Sequence, residues 1–438
     1  MSFREILMRL TKQYALFVAL LLGTLLAGDM AAQQPGKPTE KVLLNFVINY
    51  SAASGPSGGL ISDAAGNFYG VTTGGGKGDG GLGYGTVFEM SPTAAGGWKP
   101  KSLYQFQAGT DGQNPVGGLL MDSSGNLYGT TQYGGTHLCT DGYDKFSCGT
   151  VFELSPNGVG GWSEKILYNF SQSDGYAPLS SLIMDSPGNL YGTTGAGGGR
   201  VGQGVRGTVF ELRRTGEEWT ELVLHRFAQT GDGASPSSSL IFDAAGNLYG
   251  ETAIGGQTEG GTVFELSHTA SGWQEQILFD FDTDGSGASG LQPNGGLIFD
   301  SAGNLYGTTF YGGIGSGYGT VFELTPTNGG DWNETVLYSF FPDPYNRCSP
   351  ATALVFDASG NLYGTTTWGG SASSGSVFRL KASGGGAWTY ALVHSFLNSS
   401  ADGGIPDSNL LIDSKGNLYG TTTYGGTGGG GTVFEITP

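Results

Sequence analysis

Apolar and polar positions along this chain alternate in short bursts. From residue 40 onward, runs of four to nine residues rich in Val, Ile, Leu, Phe, Tyr and Thr are separated by Gly, Asn, Asp and Pro. That length and punctuation predict β-strands joined by tight turns, because β-branched and aromatic side chains fit a pleated surface while Gly and Asn tolerate positive φ. The bursts are periodic. Gly-Asn-Leu-Tyr-Gly-Thr-Thr stands at Gly125–Thr131, Gly188–Thr194, Gly303–Thr309, Gly360–Thr366 and Gly416–Thr422. Variants stand at Gly66–Thr72, with Phe68 and Val71, and at Gly246–Thr252, with Glu251. The Tyr of this heptad recurs every 56 to 63 residues, the signature of a repeat architecture.

Each repeat reads as four strands. The first runs from Pro to Asp, as in Pro56 to Asp63 and Pro406 to Asp413, with a Leu four residues after every Pro. The heptad is the second, Gly-Thr-Val-Phe-Glu the third, and a stretch from Trp to Leu-Tyr-x-Phe, such as Trp162–Phe170, the fourth. Counting then sets the topology. Six repeats are followed by the Trp-to-Phe strand, the seventh is not, and the extra copy lies at the other end, at Val42–Phe46. The economical solution is an all-β, seven-bladed β-propeller of four-stranded blades in which the N-terminal strand completes the last blade, leaving only short protected edges. A right-handed β-solenoid also suits Gly, Asn and Thr ladders, but gives no reason to place the missing strand at the opposite terminus.

The paired motifs Gly-Asn-Leu-Tyr-Gly-Thr-Thr and Gly-Thr-Val-Phe-Glu-Leu resemble the GloVer tandem repeat of exported bacterial proteins, over residues 40–438. A weaker similarity, through the order Pro…Asp-x-x-Gly-Asn-Leu-Tyr, runs to NHL-type propellers. Kelch-type propellers share only the double glycine after the second strand and the later Trp. The GloVer resemblance implies export and no defined activity. Many such proteins carry a C-terminal sorting anchor, a pattern from which Ile436-Thr437-Pro438 departs.

Composition narrows the partners. Gly contributes 83 of 438 residues, yet 38% hydrophobic and 12% aromatic content is not that of a disordered chain. A net charge of −18 argues against nucleic acid, whose phosphates it repels. Arg4, Arg9 and Lys12 precede an apolar stretch, Tyr14–Ala27, too short for a comfortable membrane span. This predicts a signal peptide over residues 1–32, with an uncleaved anchor as the alternative, then a spacer over 33–39 and the propeller over 40–438. No long apolar run follows residue 27, so no transmembrane segment is expected in the mature chain. Cys139 and Cys148 share one insertion and suit a disulfide after export, which leaves Cys348 over.

What repeats in every blade reads as scaffold, so function is sought where blades differ. The seven Asp that end the first strands (Asp63, Asp122, Asp185, Asp243, Asp300, Asp357, Asp413) could ring one mouth of the channel, but their identical context favours a turn role. The long variable loops carry Asp79, Asp111, Asp141, Asp144, Asp174, Asp232, Asp282, Asp284, Asp343, Asp402 and Asp407. Aromatics flank the double glycine in four blades, at Tyr133, Tyr311, Trp368 and Tyr424. Rings with carboxylates suit a sugar, whose apolar face stacks while its hydroxyls bond, although such rings also pack under their own loops. Small or short polar residues (Gly58, Gly59, Ser180, Ser238, Asn294, Asp407, Asn409) fall near the axis and predict a narrow wet tunnel. Tyr133, Tyr311, Trp368, Tyr424, Asn294 and Asp407 are therefore the candidate ligand-binding set. Asp280-Phe-Asp282-Thr-Asp284-Gly285 spaces three carboxylates as a Ca²⁺ loop does, although Leu291 stands where a bidentate Glu is expected. No other cofactor is implied. Of the four His (His137, His225, His268, His394), His225 and His394 replace the repeated fourth-strand Tyr and read as packing residues. No nucleophile elbow or zinc-protease motif occurs, so no catalytic residue is named. The expectation is an exported, monomeric propeller that binds an extracellular glycan or protein. The alternatives are an extracytoplasmic hydrolase or lyase using loop carboxylates, with Ca²⁺ as its one candidate cofactor, and a purely structural ring.

Overall fold

A computed structural model describes residues 38–48, 53–76, 83–199, 206–227, 231–282, 288–314, 317–341, 348–350 and 352–438. The leader, most of the spacer, Asp79, Asp284 and Asp343 lie outside the described residues. Residues 38–438 form one compact unit, a ring of seven antiparallel sheets numbered here as blades 1 to 7 in chain order. Blade 2 is representative. Leu120–Met121 lies on the inside, followed outward by Leu127–Thr131, Thr150–Pro156 and Trp162–Asn169. Blade 7 takes its outer strand from the opposite end of the chain: Thr39–Val47 pairs with Gly429–Thr437, Glu40 opposite Ile436 and Asn45 opposite Thr432. The propeller and its closure are thus as the strand count requires.

The heptad's residues each answer a packing demand. Gly125 has φ +82°, which its turn needs. Gly129 faces Phe152 across the ladder, and a Cβ there would stand 2.6 Å from the Phe152 ring. The second Thr meets the Thr of the third strand, Thr131 Oγ1 to Thr150 Oγ1 at 2.7 Å, fully buried. The Tyr packs edge-on against the next blade's Trp, Tyr128 on Trp219 and Tyr191 on Trp273.

The core sits between blades. Tyr191, Val209 and Phe227 of blade 3 pack on Leu240, Leu248, Phe264 and Leu266 of blade 4. Phe46, Tyr419 and Val433 of blade 7 do the same with Leu60, Phe68, Phe88 and Met90 of blade 1. Each such buried Leu or Phe contributes about 1.5–3 kcal/mol, so the closing seam is held as the others are. The backbone ties the loops too. In five blades a residue other than glycine stands before the first-strand Pro at positive φ (Asn114, Ala177, Ser235, Gln292, Ile405). Its amide donates to the preceding blade's loop, as Ile405 does to the Ser374 carbonyl.

Candidate functional site

The two faces of the ring differ in kind. On the bottom face lie the turns between first and second strands. Asp122 Oδ1 accepts the amides of Ser124 and Asn126, and its Oδ2 accepts the Asn126 side chain and the Tyr128 hydroxyl. Asp63, Asp243, Asp300, Asp357 and Asp413 repeat the pattern. Pro187, with no amide to give, takes one donor from Asp185. Partial burial works to raise Asp63, Asp122, Asp300, Asp357 and Asp413, but the donors outweigh it and hold them below the usual carboxylate range. These groups are structural.

Along the axis, Gly58, Gly59, Ser180, Ser238, Asn294, Asp407 and Asn409 line a polar cavity of about 240 Å³. Asp407 is held above its usual range by desolvation in this channel, partly offset by the Thr423 hydroxyl. Ser238 Oγ and Asn294 Oδ1 are buried without a hydrogen-bond partner. Behind the wall lies Glu251, which replaces the heptad's first Thr. Thr130 and Thr193 in that position donate to carbonyls of the next blade. Glu251 instead accepts the Gly296 amide of the next blade at 2.8 Å, and burial pushes its carboxyl up to about 8.

The top face is asymmetric. Tyr311, Trp368 and Tyr424 occupy the same loop position in blades 5, 6 and 7 and are each nearly half exposed (46%, 44% and 49%). The residue after the core Phe is also apolar and exposed there, as Phe341, Leu397 and Val47. In blades 1 and 2 it is Gln107 and Ser171. The structure brings the three rings onto one arc and sets Tyr133 apart, half buried and edge-on to Phe146 at 6.2 Å. Phe146 belongs to a small hairpin, Leu138–Thr140 with Lys145–Ser147, whose Cys139 is disulfide-bonded to Cys148 just after it.

The candidate Ca²⁺ carboxylates are only partly placed. Asp280 ends the strand Gly272–Asp280, and its Oδ2 accepts the Gln257 amide at 2.8 Å. Asn169 and Asn45 hold the matching loop amides of their blades. Phe281 is fully buried.

Sequence reasoning missed the seams. Opposite the Val of each third strand stand Tyr104, Tyr168, His225, Phe279, Tyr338, His394 and Leu44 of the fourth strands. Three positions on, opposite Met90 or the equivalent Leu or Ile, stand Pro100, Glu164, Glu221, Glu275, Glu334, Tyr390 and Glu40. Between blades 1 and 2 and between 2 and 3, the Tyr donates to a loop carboxylate, Tyr104 to Asp111 at 3.0 Å and Tyr168 to Asp174 at 2.8 Å. Between 3 and 4, His225 Nε2 lies 3.3 Å from Asp232 and 4.0 Å from Glu275. Between 6 and 7, His394 Nε2 lies 3.4 Å from Asp402, with Glu40 as the third group. Both imidazoles also pack edge-on against a core Phe, Phe227 and Phe396, so they are packing residues with a second, polar engagement. Between 4 and 5, Phe279 and Ser289 replace the polar pair, and with Glu334 and Phe341 they line a cavity of about 570 Å³. Between 5 and 6, Tyr338 stacks on Tyr390 beside Cys348. Glu164, Glu221 and Glu334 are pushed up to about 7, burial being the largest cause. Repetition offered the signal: Trp-x-Glu opens four fourth strands, and Asp-Gly stands shortly before Pro in four repeats.

Comparison with known proteins bears on the fold. The profile of the Gloeobacter/Verrucomicrobia repeat matches residues 28–204, 138–354 and 283–438. No curated protein matches the chain in sequence. Among solved structures, the chain is similar to the extracellular domain assigned to a hybrid two-component system from B. thetaiotaomicron, at 12% identity and TM-score 0.52, covering 90% of this chain and 39% of that one. It is also similar to a protein of unknown function from Dyadobacter fermentans, at 13% identity and TM-score 0.44, over 82% and 98% of the two chains. A luciferin-regenerating enzyme is matched at 14% identity and TM-score 0.41, over 92% and 95%. Likeness at these identities concerns the fold alone. No helix among the described residues is long and apolar enough to cross a membrane.

Proposed function

The chain belongs to the Gloeobacter/Verrucomicrobia repeat family, and from that premise we propose that it is an exported, monomeric binding module whose ligand is an extracellular carbohydrate held on the top face of blades 5 to 7. The observation that carries this reading is the arc of Tyr311, Trp368 and Tyr424, rings left nearly half exposed at one loop position of three successive blades. Exposed rings offer flat apolar area at low entropic cost, which suits the apolar face of a pyranose. Asn294 and Asp407 at the mouth of the axial cavity supply polar partners for hydroxyls. The basic and apolar leader and the Cys139–Cys148 disulfide support an oxidising compartment outside the cytoplasm.

A hydrolase or lyase would need two carboxylates converging on one substrate. Asp407 is the single carboxylate among the described residues lining the axial cavity, so that cavity supports binding over acid–base chemistry. The test is a glycan array probed with the purified protein and with Trp368→Ala and Tyr424→Ala. Binding that falls at least ten-fold in both variants, with unchanged melting, is expected. A parent protein that retains no glycan, or variants that bind as the parent does, would overturn the reading.

A further inference from the structure

Two of the seams carry a set of groups that the packing of the ring does not require. The sister seams show what packing alone asks for, a phenol that donates to the loop carboxylate at 2.8–3.0 Å. Where His225 and His394 replace that phenol, the contact lengthens to 3.3 and 3.4 Å, and both neighbouring carboxylates are retained. We propose that His225, Asp232 and Glu275, and likewise His394, Asp402 and Glu40, bind a divalent transition-metal ion of the Zn²⁺ class, each ion joining two adjacent blades.

Three observations carry the inference. In each cluster one imidazole nitrogen and two carboxylate oxygens lie within 4.8 Å of one another. Ligands ~2.0–2.1 Å from a tetrahedral ion stand about 3.3 Å apart, so the His–Asp separations already match an edge of that polyhedron. A nitrogen with two oxygens suits a borderline cation, and three protein ligands leave a position for water. Second, Glu275 Oε1 and Glu40 Oε1 are buried without a hydrogen-bond partner. The same oxygen is unpartnered in Glu164, Glu221 and Glu334, so the idle acceptor belongs to the seam and the imidazole completes the set. Third, the set occurs twice at equivalent places and His never occurs there without both acids. Where Phe279 stands, Ser289 replaces the loop Asp, and where Tyr338 stands, Tyr390 replaces the Glu.

The second cluster spans the seam between blades 6 and 7, since Glu40 belongs to the strand Thr39–Val47 of blade 7, His394 to the outer strand Trp388–Ser395 of blade 6 and Asp402 to the loop that follows it. An ion there holds the first strand of the propeller against its neighbour blade. Protein stripped with chelator and titrated calorimetrically with Zn²⁺ at pH 7.5 is expected to take up two equivalents at these sites and to melt several degrees higher. The variants His225→Tyr and His394→Tyr install the sister-seam residue, so the fold is expected to persist in both. Each loses one equivalent, the double variant loses both with at least a hundred-fold weaker residual binding, and only His394→Tyr removes the part of the stabilisation due to the ion that holds the N-terminal strand. A parent that binds no Zn²⁺, which would leave plain His–carboxylate pairs, overturns the proposal. So does a stoichiometry that the double variant leaves unchanged, which would assign the ions to His137, His268 or the loop carboxylates.

Discussion

The ring carries two sets of carboxylates in register with its repeat, and their surroundings are opposed. On the bottom face, the turn Asp accept up to four donors each, and Asp63, Asp122, Asp300, Asp357 and Asp413 are held below the usual carboxylate range. In the seams, Glu164, Glu221 and Glu334 keep one oxygen unpartnered and rise to about 7. The first set is invariant in type across all seven blades. The second is interrupted by Pro100 and Tyr390 and varies in its companions. A residue repeated because the turn needs it is satisfied where it stands, whereas a residue tolerated at a desolvated position stays available for something else.

The comparison breaks most readily at the turns. Asp300→Ala orphans the amides of Ala302 and Asn304 and the Asn304 side chain, and removes one of the two carboxylates in reach of the Tyr306 hydroxyl. Loss of about 2–3 kcal/mol is expected in denaturant unfolding, and a change below ~0.5 kcal/mol would put the turn Asp on the same footing as the seam Glu. At the seam the sign reverses. Glu334 is shifted by burial alone, from 4.5 up to about 7, so above its unfolded value the native state carries the cost of the charge. Glu334→Gln should therefore stabilise at pH 8 by about 1 kcal/mol, discounted for partial exposure, and change little at pH 5. Thermal melts of parent and variant at the two pH values decide it.

The parent's own pH profile should show both limbs in chelator. The raised Glu make the native state bind more protons between about pH 4.5 and 7, so melting temperature falls as pH rises through that window. The lowered Asp contribute stability above their unfolded value near 3.9 that is lost as pH falls through their native values. A profile flat from pH 5 to 8 would remove the seam set from the comparison. The smallest expected effect is on stability in Trp368→Ala and Tyr424→Ala, within ~0.5 kcal/mol because half-exposed rings bury little on folding.

The architecture was legible because each of its rules is local. The heptad glycine that clears the Phe152 ring and the Leu that follows the Pro by four read directly from the chain, and the misplaced copy at Val42–Phe46 revealed the closure. The axial residues were legible for the same reason, since one buried Leu fixes the phase of the first strand. The half-exposure of Tyr311, Trp368 and Tyr424 against the packing of Tyr133 depends on a hairpin found, among the described residues, in blade 2 alone, which no pattern predicts. The seam clusters were hidden because their members come from different repeats. His225 reaches Glu275 across a blade boundary, and a fourth-strand Tyr and His look interchangeable until the neighbouring blade's acid is in view. Asp280 shows a further limit of spacing: it ends a strand, where Oδ2 accepts the Gln257 amide and Oδ1 is buried without a hydrogen bond, a division that the Asp-x-Asp-x-Asp pattern does not reveal.

The pairing of Thr39–Val47 with Gly429–Thr437 sets how the ring responds to mechanical load. Thr39 lies opposite Thr437, and the two strands run away from that point side by side. Tension applied between residues 38 and 438 therefore falls on the first rung alone and peels the ladder one bond at a time, where a shearing geometry would load all rungs together. Blade 7 is the place where a pulled ring opens, and Phe46, deep in the closing seam, is the catch that must slip before the remaining six blades feel the force.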